Sequence, residues 1–149
     1  MGIIVTDKGF GADVSAGQLR TLPLEALDSA DSVDLPGEFA LSIANDADVD
    51  AIAPFFSWIR LIAIAFPSFH DGRGFSLAKR LRQAGYRGRL RAHGHLIADQ
   101  YPLARRVGFD EVEIAPELAE RQPEHQWLLR ADWQSHFYQK RLQASAGTV

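Results

Sequence analysis

The chain has 149 residues, of which 46% are hydrophobic and 23% are charged, and its formal net charge is -3. This length is typical of one domain with one hydrophobic core, and no apolar run approaches the roughly 20 residues that a transmembrane helix needs. Because the sequence contains no cysteine, disulfides, thiolate catalysis and cysteine-ligated metal centres are excluded. The first residues also lack the pattern of a secretory signal. We therefore expect one cytoplasmic domain over residues 1–149, with no membrane partner.

Charge is unevenly distributed along the chain. Residues 1–60 carry ten acidic side chains against three basic ones, whereas residues 73–106 carry nine basic side chains against one acidic one. The net charge is nevertheless negative and no nucleic-acid-binding motif is present, so nucleic acid is not an expected partner. The cationic middle third is instead a candidate surface for a small anion or an acidic protein.

Residues 1–37 are predicted to be an irregular N-terminal extension, apart from a short β-branched strand over residues 3–6. A core follows over residues 39–115. Residues 39–43 and the apolar run 61–66 read as strands, and a helix is expected between them over residues 47–58. Pro54 lies inside that helix and should disturb it, because a proline removes a backbone hydrogen bond.

The second half of the core repeats this alternation. Ser76 is predicted to cap a helix whose apolar stripe is formed by Leu77, Leu81 and Ala84, and Gly85 is placed to end it. Residues 89–93 and 109–115 read as strands, separated by a helix that Asp99 caps and Gly108 ends. A helical tail is expected over residues 117–143. It carries the aromatic residues Trp127, Trp133, Phe137 and Tyr138.

The order of elements predicts an α/β fold. Strands that alternate with helices pair in parallel through right-handed crossovers. We expect a mainly parallel sheet of about four strands built from βαβ units, with a helical C-terminal tail. The pattern leaves open whether this sheet is open or forms part of a barrel.

The loop over residues 71–76 is the leading candidate site. It leads from a predicted buried strand into a helix, at the carboxyl edge where ligands gather in parallel sheets. Backbone amides at the start of the helix favour an anion, and Arg73, Gly74 and Ser76 would contact it. The alternative is architectural: the glycines make a tight turn, Ser76 caps the helix, and Asp71 pairs with Arg73.

Arg91 is a further candidate contact for the anion, with Asp99 positioning the cations. In a strand, the side chains of Arg89, Arg91 and His93 point to the same face of the sheet. The alternative for Arg91 is an ion pair with an acidic residue of the N-terminal half or with Asp71, because an unpaired buried charge is costly.

Two further chemistries are weaker hypotheses. Asp71 is the candidate acid or base of a catalytic version of this site, although no second group is placed to specify a reaction. His70, His93 and His95 are candidate ligands for zinc or ferrous iron, since imidazole suits both ions. Loop histidines are more often hydrogen-bonded surface residues, so we expect no metal. The residues do not identify a cofactor.

Five segments of the chain resemble a known bacterial family of unknown function, whose members are described as oxidoreductases of sulfite reduction. The similarity covers roughly residues 38–140. It is carried by residues 66–76 (FPSFHDGRGFS), Leu81-Arg82, residues 88–92 (GRLRA), Asp99-Gln100 and residues 106–110 (RVGFD), and it ends in the aromatic segment 137–139.

The resemblance implies a gene neighbourhood shared with sulfite or nitrite reductase, and hence an accessory role in assimilatory sulfur metabolism. The family motif maps here onto Asp71, Gly72, Arg73, Gly74, Ser76, Arg91, Asp99 and Gln100. Two functions remain as hypotheses: an accessory protein that binds a small anion or anionic cofactor at the loop, or a non-catalytic module that docks on the reductase. The sequence leaves homo-oligomerisation open.

Overall fold

The computed structural model describes residues 2–13, 19–28 and 37–134, which form an α/β fold around one mixed sheet. Its strands are β1 (Ile3–Thr6), β2 (Gly9–Gly11), β3 (Arg20–Pro23), β4 (Phe39–Ile43), β5 (Ile59–Phe66), β6 (Arg89–Gly94) and β7 (Glu111–Ile114). Its helices are α1 (Glu25–Asp28), α2 (Val49–Ile52), α3 (Arg73–Gln83), α4 (Tyr101–Val107), α5 (Pro116–Arg121) and α6 (Glu124–Leu128), with 3₁₀ segments at Ala53–Trp58 and Ala98–Gln100.

The sheet is open and mostly parallel, in the order β2-β1-β7-β6-β5-β4-β3. Strands β3 to β7 run parallel, and β1 pairs antiparallel with both β2 and β7. The four predicted strands are therefore joined by three more within the described residues. All three lie within residues 1–37: β1 confirms the short strand predicted over residues 3–6, whereas β2 and β3 lie in the stretch that we expected to be irregular.

Strands β2 and β3 are short, which explains why the sequence pattern missed them. β3 carries Arg20 and Thr21 exposed and ends at Pro23, so it has no continuous apolar signal. A proline is tolerated there because β3 is an edge strand. Tertiary pairing with β4, not local propensity, makes residues 20–23 a strand.

Pro54 explains how the predicted helix over residues 47–58 is divided. Its α-helical part, α2, begins after Asp48, whose side chain accepts a hydrogen bond from the Asp50 amide at 3.0 Å. The chain then continues as a 3₁₀ segment, Ala53–Trp58, with Pro54 in its first turn, where the missing amide costs no hydrogen bond. The predicted ends of the two later helices are confirmed, since Gly85 and Gly108 have φ values of 106° and 116°.

The predicted helical tail is described as far as residue 134. It begins with α5 and α6, and Trp127 of α6 is 1% exposed within the core while Trp133 packs partly buried against it. The rest of the predicted tail, including Phe137 and Tyr138, lies outside the described residues. Within the described ranges, the structure has no helix that is both long and apolar enough to cross a membrane.

The two faces of the sheet differ in chemistry. Alternate strand residues such as Ile62, Ile64 and Leu90 belong to one core cluster that includes residues of α3 and α4. Their neighbours point to the opposite side, which we call the polar face. It is defined by Ser42, Ala63, Arg91, His93 and Glu113, which help to line a cavity of about 290 Å³.

Candidate functional site

At the carboxyl ends of β5 and β6, backbone and side-chain hydrogen bonds hold the two following loops together. The His95 amide donates to the Phe66 carbonyl at 2.9 Å, and the Gln100 side-chain amide donates to the Phe69 carbonyl at 3.0 Å. Gln100 also accepts a bond from the Ile97 amide at 3.0 Å. The family motif residue Gln100 thus fixes the loop after β5 against the loop after β6.

Asp71 and Arg73 form a bidentate ion pair inside the candidate loop. The Arg73 guanidinium donates to Asp71 through Nε at 3.0 Å and through its terminal nitrogen at 2.8 Å, and the Arg73 backbone amide adds a bond at 3.2 Å. Since α3 begins at Arg73, the Asp71 carboxylate lies at the helix N-terminus. It occupies the place where an external anion would bind.

This pairing governs the acidity of Asp71. Hydrogen bonds from the Arg73 side chain, followed by the influence of the nearby Asn45 side-chain amide and by the Arg73 backbone hydrogen bond, hold the pKa of Asp71 well below its ordinary value of 3.8. A carboxylate whose pKa lies far below neutral pH is a weak base and holds no proton to donate, so it is poorly matched to proton transfer. The geometry therefore favours an architectural role for Asp71 over the candidate role of catalytic acid or base.

Gly74 and Ser76 have roles other than ligand contacts in this structure. A Cβ atom on Gly74 would lie 2.4 Å from the Phe66 ring, so close packing of α3 on β5 requires a glycine there. Ser76 is an exposed residue within α3 and not its N-cap, which is Gly72. The helix begins earlier than predicted because the Asp71 carboxylate binds the Arg73 amide and the Phe75 amide bonds the Gly72 carbonyl.

Asp99 lies apart from the loop cations. It is exposed and accepts a hydrogen bond from Arg130 at 2.6 Å, linking the 3₁₀ segment after β6 to the chain beyond α6. It does not cap α4, whose first residues follow Gln100. The structure thus gives Asp99 a partner from the C-terminal part of the chain and not Arg73 or Arg91.

Arg91 is buried on the polar face among three carboxylates. Its Nε donates to Glu111 at 2.8 Å, and one terminal nitrogen donates to Asp13 at 2.9 Å and to Glu113 at 3.3 Å. Burial opposes the charge of Arg91 most strongly, but its hydrogen bond to Asp13 and the charge of Glu111 outweigh this effect and raise the pKa of Arg91. We call Arg91, Asp13, Glu111 and Glu113 the Arg91 cluster.

The Arg91 cluster and the loop lie on opposite sides of the sheet. Arg91 pairs in register with Ala63 of β5 and lines the polar face, whereas Phe75 of α3 packs against Phe66 and Phe109 in the helical core. The structure therefore does not combine Arg73 and Arg91 into one anion site. Arg91 instead has the partner that the alternative interpretation predicted, an acid of the N-terminal half, which is Asp13.

Sequence reasoning offered an acid of the N-terminal half as a partner of Arg91 without naming Asp13, and it missed Glu111 and Glu113, although a signal for these two was present. Glu111 and Glu113 alternate along β7 as Arg91 and His93 do along β6, and the register sets each acid directly opposite a basic or imidazole side chain. Asp13 carried no such signal because it comes from a distant connection. Asn45, only 5% exposed after β4, was also missed.

The candidate metal ligands do not converge. The His70 amide donates to the Ser68 hydroxyl at 3.2 Å, His93 lines the polar face, and the His95 ring meets the Phe69 ring edge-on at 5.4 Å. Gly94 turns the chain between His93 and His95 with a φ of 116°. Among the residues that the structure describes, no group of three or more His, Asp or Glu side chains could hold a metal ion.

Two further cavities lie at opposite edges of the sheet. At the carboxyl edge, the loops after β5, β6 and β7 enclose about 400 Å³ between Phe69, His95 and Leu118; we call this cavity the carboxyl-edge crevice. At the amino edge, a shallow cavity of about 600 Å³ is rich in arginine. Neither was predicted as a separate site.

Comparison with known proteins gives one match. Residues 40–148 match the family model described as "Bacterial protein of unknown function (DUF934)". No curated protein and no solved structure matches the chain at a significant level. The matched segment runs from β4 through all of the candidate loop, the arginine strand β6 and the described C-terminal helices. The chain belongs to the DUF934 family of bacterial proteins.

Proposed function

We propose that this protein is a non-catalytic accessory protein of assimilatory sulfite reduction, which docks on an acidic surface of the sulfite reductase. The pathway comes from the family resemblance of the sequence. The observation that supports docking is the arginine-rich cavity at the amino edge of the sheet, which we call the arginine edge. Its charged residues are Arg60, Arg82, Arg87, Arg89, Glu38 and Asp110.

Cationic charge is in excess at the arginine edge. Four arginines line it against two carboxylates, and each carboxylate is already bound, Glu38 by Arg60 at 2.7 Å and Asp110 by Arg82 at 2.9 Å. Arg89 is paired as well, with Glu111 at 2.6 Å, so the surplus cation is Arg87, which is exposed and forms no ion pair with any described residue. A concave surface with surplus arginine suits an acidic protein segment, because arginine binds carboxylates through two parallel hydrogen bonds.

The candidate loop gives indirect support for this choice. Arg73, the cation expected to hold a small anion, is chelated by Asp71 within the same turn. Binding an external anion there would first require breaking that bidentate pair. Docking through Arg87 requires no such rearrangement.

Charge reversal tests the proposal. Arg87→Glu should weaken binding to the sulfite reductase of the same bacterium by about tenfold or more, since it replaces attraction by repulsion at the docking surface. The matched control is Arg80→Glu, which makes the same charge change on an exposed residue of α3 outside the cavity. Affinity should be measured by calorimetry over a series of salt concentrations, and it should fall as salt rises.

Two results would reject docking at this surface. One is the absence of a complex between the purified proteins at low salt. The other is an equal effect of Arg87→Glu and Arg80→Glu on the affinity.

Anion binding at the loop remains the second candidate because of Asn45. This side chain is buried beside Asp71, yet its Nδ2 nitrogen forms no hydrogen bond of normal geometry with the described residues. A buried donor that lacks a well-formed hydrogen bond is costly, and an anion could accept one from it. Sulfite, sulfate and phosphate should then bind more tightly to Asp71→Asn, which removes the competing carboxylate, and not to Arg73→Ala. Calorimetry that detects no binding to the wild type or to Asp71→Asn rejects this site.

A further inference from the structure

We infer that the carboxyl-edge crevice binds a small molecule through a planar aromatic ring. This site is independent of the proposed docking surface, because it lies at the opposite edge of the sheet. Its volume of about 400 Å³ falls within the range of small-molecule sites. Its lining consists of Phe69, Gly94, His95, Ala115, Glu117, Leu118 and Arg121.

Two aromatic side chains form a corner of the crevice. The rings of Phe69 and His95 are 5.4 Å apart between centroids and are inclined at 84°. A flat ring in the crevice could stack on one of them while presenting its edge to the other, which are the two favoured arrangements of aromatic groups. Phe69 is 38% exposed and is one of few large apolar side chains left open to water. A bound ring would cover it.

The opposite wall combines apolar and ionisable groups. Leu118 supplies the apolar surface, and Glu117 and Arg121 stand one helical turn apart on α5. Sites of this kind orient a mainly apolar ligand by a few polar contacts. The ring therefore carries a polar substituent, whose charge decides whether Glu117 or Arg121 receives it.

The walls are held in place before any ligand binds. Gln100 fixes the Phe69 carbonyl, and the His95 amide bonds the Phe66 carbonyl. The Gln122 side chain, just after α5, accepts a bond from the Ala98 amide at 2.7 Å. These bonds connect all three loops that form the crevice. Little conformational entropy is then lost when a ligand enters.

Three simple aromatic probes test the inference on the full chain: benzoate, benzamidine and indole. Saturation-transfer NMR detects contact, and calorimetry gives the affinity. At least one probe should bind saturably, and Phe69→Ala should weaken it by about tenfold, the effect of losing one ring contact. Preference for benzoate assigns the polar contact to Arg121, and preference for benzamidine assigns it to Glu117.

A second variant and a control make the result specific. Leu118→Trp should fill the crevice and abolish binding. The control is Leu103→Ala: the Leu103 side chain is 42% exposed, close to the exposure of Phe69, but it lies on a different surface, so its removal should leave probe binding unchanged. Thermal unfolding confirms that each variant is folded. The inference is overturned if none of the three probes binds the wild type, or if Phe69→Ala and Leu118→Trp bind as the Leu103→Ala control does. Neither outcome affects binding to the reductase, so the two proposals fail separately.

Discussion

Replacing Arg91 by methionine should destabilise the protein strongly. Arg91 is 5% exposed and holds Glu111, Asp13 and Glu113, and removing one partner of a buried ion pair costs about 3–5 kcal/mol. Glu111 would keep its two bonds from Arg89, at 2.9 and 2.6 Å, so we expect the lower end, about 3 kcal/mol. For a chain of this length, that corresponds to a fall in melting temperature of roughly 6–12 °C.

Urea unfolding at neutral pH, followed by tryptophan fluorescence, measures this loss of stability. Arg130→Ala is the control, since it breaks the exposed pair with Asp99 and should cost about 0.2–1 kcal/mol. The double variant Arg91→Met/Glu111→Leu should be less unstable than the two single changes added together, because both buried charges are then absent. A loss below about 1 kcal/mol for Arg91→Met, or strict additivity in the double variant, would refute the role assigned to the Arg91 cluster.

Three further predictions concern packing and hydrogen bonding. Gly74→Ala should cost about 1–3 kcal/mol in chemical unfolding because its methyl group meets the Phe66 ring, while Gly72→Ala, with 3.8 Å to its nearest neighbour, should cost clearly less. Tyr101→Phe should lose about 1 kcal/mol, since the buried hydroxyl donates to Asp7, and equal stability to the wild type would contradict that bond. Burial raises the pKa of Asp7, but hydrogen bonds from Tyr101 and its neighbours outweigh it and leave the pKa below 3.8. The stabilisation from ionised Asp7 is therefore complete above about pH 5 and is lost as pH falls through the folded pKa, so Asp7→Asn should flatten the acid limb of a stability–pH curve.

The candidate site was predictable in part, and the limits have physical causes. A loop leading from a buried strand into a helix followed from local pattern alone, although α3 already includes residues 73–76. The alternative in which Asp71 pairs with Arg73 needed only their spacing. The connection of Arg91 to Asp13 could not be read, because 77 intervening residues separate them and no local pattern encodes such a contact. The arginine edge and the carboxyl-edge crevice arise where separate loops converge in space.

The sequence by itself determined the alternation of strands and helices over residues 39–115, since a buried parallel strand needs an apolar run and an amphipathic helix needs an apolar stripe. It also determined the ends of α3 and α4, because a glycine readily adopts the left-handed conformation of Gly85 and Gly108. Only the tertiary structure decided the number of strands, since β2 and β3, which have no local strand pattern, form by pairing with β1 and β4. It also decided the partners of each arginine: a guanidinium is paired by whichever carboxylate the packing of distant segments brings within reach.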